Sequence, residues 1–82
     1  MRKKTKPGPS KVDIYAGKRL RVRRCLLGMS QQYVAQECGI SFQQIQKYEN
    51  GKNRISAGRL YDLSVILGVP TDYFFMGLKK KR

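Results

Sequence analysis

The chain contains no histidine. Imidazole is therefore excluded both as a general base and as a metal ligand. Cysteine is scarce. Cys25 and Cys38 stand apart in the sequence, with no CxxC pair to build a zinc site around. Their expected state is two buried small hydrophobes in a reducing cytosol, with a single disulfide as the alternative. Acid is scarce too, at 5 Asp+Glu, and no paired carboxylates or phosphate-binding loop can be assembled. No long hydrophobic run occurs anywhere. The basic start, from Met1 to Pro9, leads into no apolar stretch, so neither a secretory leader nor a membrane span is predicted. At 82 residues the chain is one domain. A chain of this size buries about 60–65% of its unfolded surface, enough for one small core. These shortages argue against an enzyme. They predict no cofactor, no metal and no small-molecule ligand.

What the chain has in excess is positive charge: 18 Lys+Arg, for a net +13. Its distribution says more than its sum. Arg2, Lys3, Lys4, Lys6 and Lys11 precede the first apolar pattern, and Lys79, Lys80, Lys81 and Arg82 close the chain. Residues 12–78 carry the other nine cations against all five acids, a net +4. A basic body with two basic arms points to a polyanion, and nucleic acid is the commonest. An anionic membrane surface is the rival. Either arm alone also reads as a merely solubilising tail.

Organisation follows the punctuation. Residues 1–11 read as a disordered basic arm, 12–77 as the folded domain and 78–82 as a basic tail. Asp13 is the expected N-cap of a helix over 14–27, with Ala16, Gly17, Leu20, Arg24 and Leu27 on its inward side. Ser30 opens a second helix over 31–38, with Val34, Ala35 and Cys38 inward. Ser41 and Gln44 have the form of a capping box for a third, running to about Asn50. Ser56 caps a fourth over 57–67, with Leu60, Leu63, Ser64 and Leu67 inward. Residues 71–76 make a last turn or two. No strand pattern appears, so the fold class is all-α with five short helices.

The pair of helices over 31–38 and 42–50 carries the functional signal. Only Gly39, Ile40 and Ser41 join them, and a short turn opening in glycine is the helix-turn-helix plan. At about 100° per residue, Phe42, Ile45, Tyr48 and Glu49 share one side of the second helix. Gln43, Gln46, Lys47 and Asn50 share the other. A purely solvated face would normally carry Glu–Lys pairs. Amides instead match base edges, since Gln can bond adenine bidentately and Lys favours guanine. Gln31, opening the preceding helix, has the same chemistry, beside backbone N–H groups that can hold a phosphate.

These residues resemble the Cro/phage-repressor (XRE) family. The likeness rests on Ser30-Gln31 followed by Val34-Ala35, on Gly39 at the turn, and on Ile45 with Tyr48-Glu49-Asn50-Gly51. Gly17-Lys18-Arg19-Leu20-Arg21 and the run from Leu67 to Phe74 extend it over about residues 13–76. The resemblance implies a compact five-helix, lambda-repressor-like domain with helix 42–50 in the major groove of double-stranded DNA. It implies a transcriptional regulator, cytoplasmic and nucleoid-associated. The family's base-contact positions fall on Gln31, Phe42, Gln43 and Lys47. Its phosphate positions fall on Ser30, Asn50, Lys52 and Arg54, and Gln46 is grouped with them. Phe42 departs from the pattern, because relatives often have a polar residue there. It either touches a thymine methyl or packs inward. The resemblance also makes Arg24 and Glu49 a partly buried salt bridge joining the first helix to the third.

One reading head spans few base pairs, so a two-fold homodimer is expected, centred on Tyr61, Tyr73 and Phe75. A spare apolar stripe of Ile14, Val22, Cys25 and Leu26 is the second candidate surface, unless it covers the last helix. Two rival functions remain open at this point. One is an antitoxin-like protein-binding module on the same fold. The other is a nonspecific binder of nucleic acid or membrane.

Overall fold

Residues 9–79 are described by the computed structural model. The basic arm expected at 1–11 therefore falls largely outside the described residues, as does most of the 78–82 tail. Four α-helices follow one another: α1 (Lys11–Leu26), α2 (Gln31–Cys38), α3 (Phe42–Glu49) and α4 (Ala57–Leu67). In place of a fifth α-helix there is a 3-10 turn, Thr71–Phe75. Pro70 and the extended Met76 bracket it, leaving five residues, too few for a longer helix. Among the described residues there is no strand.

Each α-helix begins at a serine whose side chain accepts the backbone N–H of the residue three positions on. For α1 that serine is Ser10, not the expected Asp13. Ser10 accepts from the Asp13 N–H, and the Asp13 carboxylate accepts the Ser10 N–H at 2.8 Å. Asp13 is thus the third residue of a complete capping box, and its charge lies at the positive end of the helix. The expected start was placed at the first apolar residue, which overlooks a cap lying upstream in polar sequence. At Ser41 and Gln44 the structure makes the serine half of the box, with Ser41 Oγ accepting the Gln44 N–H at 3.2 Å.

The core is built from every helix. Leu20 of α1, Val34 of α2, Ile45 of α3, Leu63 and Leu67 of α4, and Phe74 of the 3-10 turn have no more than 1% of their surface exposed. Each such side chain contributes about 1.5–3 kcal/mol relative to its exposed state. Two expectations for α1 fail at its C-terminal end. Leu27 is exposed rather than inward, because it is the C-cap and no longer follows the helical side of Leu20. Cys25 is also exposed and Cys38 half-buried, and both are free thiols rather than a buried pair. Burial pushes the Cys38 thiol up, an effect partly opposed by the nearby Arg59.

The C-terminal turn is held against α1 by polar groups. Tyr15 Oη donates to the Met76 carbonyl at 2.6 Å, and Arg19 Nε donates to the Tyr73 carbonyl at 3.0 Å. Hence the apolar stripe of Ile14, Val22, Cys25 and Leu26 does not cover this turn; all four stay exposed. On another side of α1, Gly17 faces α3. A Cβ built there would collide with the Tyr48 carbonyl oxygen, which is backbone and cannot swing away. The absent side chain is what lets α3 lie this close to α1.

Gly17→Ala should therefore destabilise the domain despite alanine's better helix propensity. Overpacking of this kind costs about 1–3 kcal/mol. A lowered urea midpoint at unchanged m-value is the expected result. A higher midpoint would show that α3 shifts without cost.

Candidate nucleic-acid interface

The turn between α2 and α3 sets the direction of α3. Gly39 is left-handed, at φ 75° and ψ 30°, a conformation side chains resist. It allows the Ile40 N–H to reach back to the Ala35 carbonyl at 3.0 Å. The half-buried Ile40 packs against the core beneath the turn. Ser41 then caps α3. Three residues thus turn the chain from α2 into α3, with backbone bonds closing the end of α2 and the Ser41 side chain capping α3.

The rotation of α3 about its own axis is fixed by Glu49. Its carboxylate takes Arg24 Nε on Oε2 at 2.6 Å and Arg24 Nη2 on Oε1 at 3.0 Å. Gln31 Nε2 adds a third bond, to Oε1, at 3.0 Å. Arg24 Nη1 donates onward to the Met29 carbonyl at 2.8 Å. Side chains from α1, α2 and α3 therefore meet on one carboxylate. The Arg24 side chain is 11% exposed and the Glu49 side chain 4%. The bond to Glu49 outweighs burial and holds the Arg24 guanidinium above its ordinary pKa. Among the described residues no buried side-chain nitrogen or oxygen lacks a partner.

With Ile45, Tyr48 and Glu49 buried, the opposite side of α3 is turned out. Gln43, Gln46, Lys47 and Asn50 are exposed there. Phe42 is half-buried and packs against the core. Gln31 is also half-buried, and one of its two amide N–H donors is committed to Glu49, leaving the other N–H and the carbonyl oxygen to offer. Ser30 is exposed and accepts the Tyr33 N–H at 2.9 Å, which leaves its own hydroxyl proton to donate. Asn50 Oδ1 accepts the Lys52 N–H at 3.3 Å, a bond that does not use its amide N–H donors. Lys52 is exposed. Arg54 is exposed and lies 3.4 Å from the Asp13 carboxylate. Of the residues expected at the dimer surface, Tyr61 is 63% exposed and Phe75 37%. Tyr73 is partly engaged within the chain. Its ring lies under the Arg19 guanidinium at 3.9 Å and edge-on to Phe74.

Sequence reasoning passed over Arg21. It lines a shallow polar notch of about 310 Å³ together with Gln31, Gln46, Glu49 and Asn50. The signal was present, since Arg21 stands three residues before Arg24 and so on the same side of α1.

Removing one partner of the Arg24–Glu49 pair strands the other. Arg24→Met should cost about 3–5 kcal/mol, and Arg24→Met with Glu49→Met should cost less than that single change. Urea unfolding of the three proteins checks it. A double variant weaker than the single would show the pair to be irreplaceable by apolar packing.

Residues 20–74 match the family model described as helix-turn-helix. Among curated relatives, an uncharacterized HTH-type transcriptional regulator of Sinorhizobium medicae is 54% identical over 72 residues, covering 88% of this chain and 50% of the relative. A transcriptional regulator in the ATPase CF(0) region of Rhodospirillum rubrum is 55% identical over 69 residues, 84% of this chain and 64% of the relative. The chain spans about half the length of several such relatives. Among solved structures, the P22 c2 repressor in complex with a synthetic operator superposes with a TM-score of 0.70 at 29% identity, over 76% of this chain and 94% of that one. The restriction-modification controller protein C.AhdI of Aeromonas hydrophila gives 0.72 at 26% identity, with the same coverage. With the family match running from the middle of α1 into the 3-10 turn and the α2–turn–α3 geometry behind it, the chain belongs to the helix-turn-helix family of the XRE, or Cro/phage-repressor, type.

Proposed function

We propose that the chain is a sequence-specific DNA-binding transcriptional regulator of the repressor kind, working in the cytoplasm on chromosomal DNA. The carrying observation is the outward face of α3. It presents three amides and one lysine on a helix whose rotation the Arg24–Glu49 pair fixes. In this reading α3 lies in the major groove. Gln43 and Lys47 meet base edges directly, and Gln31 offers its carbonyl oxygen and remaining amide N–H beside them. Phe42, lodged against the core, gives at most the edge of its ring to a thymine methyl. Ser30, Gln46, Asn50, Lys52 and Arg54 surround α3 and hold the phosphates.

Gln43→Ala and Lys47→Ala should each lose site preference rather than general affinity. Each lost bidentate contact is worth about 1–3 kcal/mol at one base position. Binding to a selected duplex and to random-sequence duplex, measured at one salt concentration, checks this. Equal losses on the two DNAs would refute base reading. Lys52→Gln should instead weaken both alike and lower the salt slope by about 1.

The regulator acts as a two-fold homodimer, since half-sites about one helical turn apart supply the specificity one α3 lacks. Tyr61 and Val65 support this reading, for they are one helical turn apart on α4 and both exposed. Phe75 adds apolar surface at the C-terminal turn. Because Tyr73 is tied to Arg19, Tyr61→Asp is the cleaner probe. It should lower the dimer fraction in sedimentation with operator present while leaving the thermal midpoint unchanged. A wild-type chain that binds operator only as a monomer would rule the dimer out.

A further inference from the structure

The nine cations of residues 12–78 are not equally placed to meet a ligand. Four are committed inside the fold. Arg24 holds Glu49, Arg19 the Tyr73 carbonyl, Arg23 the Leu67 carbonyl at 3.0 Å, and Arg59 both the Cys38 carbonyl and Asp62. Arg54 lies against Asp13. Three of the remaining cations, Lys47 on α3, Lys52 just beyond it and Lys18 on α1, stand on exposed surface. The fourth is Arg21, and its position is particular.

Three contacts place the neighbouring side of α1 along the C-terminal half of α3. Gly17 meets the Tyr48 carbonyl, Ile14 lies beside Gly51, and Arg24 bonds Glu49. Arg21 falls between these positions on the helical wheel, and it is exposed. It shares the notch with Gln46 and Asn50, which belong to the outward face of α3, and with Gln31 at the start of α2. The only acid in the notch is Glu49. Its two oxygens already accept three hydrogen bonds, and its charge is matched by Arg24. The notch as a whole therefore keeps the charge of Arg21. Among the described residues, Arg21 has no ion-pair partner of its own.

We propose that Arg21 is a phosphate-binding residue on α1. It would clamp the DNA backbone where α3 leaves the groove, with Gln46 and Asn50 amides donating to the same phosphate. This inference rests on the DNA-binding reading. A phosphate fits the notch better than a base, because Arg21 stands on a different helix beside the reading face rather than on it. A guanidinium with planar donors also suits phosphate oxygens bidentately. The contact would brace α1, and through Arg24 the helix that reads the bases, against the same strand.

The test is the salt dependence of duplex binding for the wild-type chain, Arg21→Gln and Arg21→Lys. Two duplexes are used: a random sequence and the sequence this chain enriches from a random pool. Arg21→Gln should weaken binding to both by the same factor and lower the log–log salt slope by about 1. Arg21→Lys should keep the slope and lose only part of the affinity, because the charge stays and the bidentate geometry goes. An unchanged thermal midpoint shows that the fold is intact, as an exposed, unpaired side chain requires. A wild-type chain that binds with Arg21→Gln indistinguishable from it overturns the inference alone. A loss confined to the enriched sequence overturns it too, by making Arg21 a base reader. A wild-type chain that binds neither duplex overturns the DNA reading itself, and this inference with it.

Discussion

The Glu49 carboxylate is the point on which the geometry of the domain turns. It is nearly buried, and a buried carboxylate without partners would cost several kcal/mol. Arg24 meets it with two donors and Gln31 with a third. Each partner comes from a different helix, so the cost can be avoided only if α1, α2 and α3 keep one relative placement. Apolar packing of Ile45 and Tyr48 would hold α3 against the core at a range of rotations. A bidentate pair with planar geometry admits few. Gly17 adds the steric half of the same constraint by allowing α3 to come close while leaving little room to slide. A helix that must present side chains to a rigid ligand needs this kind of definition more than it needs stability.

The strong basicity of the chain looks different once its partners are known. A net charge of +13 suggests a surface saturated with cations. Within the folded body, several arginines do something else. Arg23 and Arg59 donate to carbonyls at the C-terminal ends of α4 and α2, where the helices leave acceptors unsatisfied and the dipole favours positive charge. Arg19 does the same for the 3-10 turn. These arginines are mortar between helices. What remains for a polyanion lies near α3 and on the neighbouring side of α1. Among residues 12–78 the cations left to meet a ligand are therefore fewer and more localised than the composition implies.

Much of this was legible in the sequence because the signals are local. Serines before helices and glycines after them mark element ends through backbone chemistry. The helical repeat of Ile45, Tyr48 and Glu49 against Gln43, Lys47 and Asn50 separates the two sides of α3 without any tertiary knowledge. The start of α1 is hard to read from sequence because Ser10 sits in polar sequence, where a cap is hidden among loop residues. Leu27 and Cys25 were misplaced because hydrophobicity alone does not say where a helix ends or which side meets the core. The commitments of Arg19, Arg23 and Arg59 were out of reach, since each bonds a backbone carbonyl at least 21 positions away. Backbone acceptors leave no trace in residue identity. Gln31 shows the same limit. Its type suits a base edge, and only the fold reveals that one of its two amide N–H donors is already spent on Glu49.

The division of chemistry around α3 has a physical consequence for the proposed activity. A phosphate contact rewards charge regardless of sequence and is weakened by salt. A base contact rewards a matched donor–acceptor pattern and penalises a mismatch, because a desolvated amide left unpaired is costly. Placing cations on the reading face itself would raise affinity for every sequence and dilute the penalty. In the proposed reading the outward face of α3 is mostly neutral, with Lys47 as its one charge, while Lys52 and Arg21 lie at its margins. In that reading affinity and discrimination are assigned to different side chains. The orientation that lets the neutral amides discriminate is set by a third group, the Arg24–Glu49 pair, which need not touch the ligand. That separation allows Gln43 and Lys47 to be exchanged for a different site preference while the fold, the pitch of the helix and the grip on the backbone stay as they are.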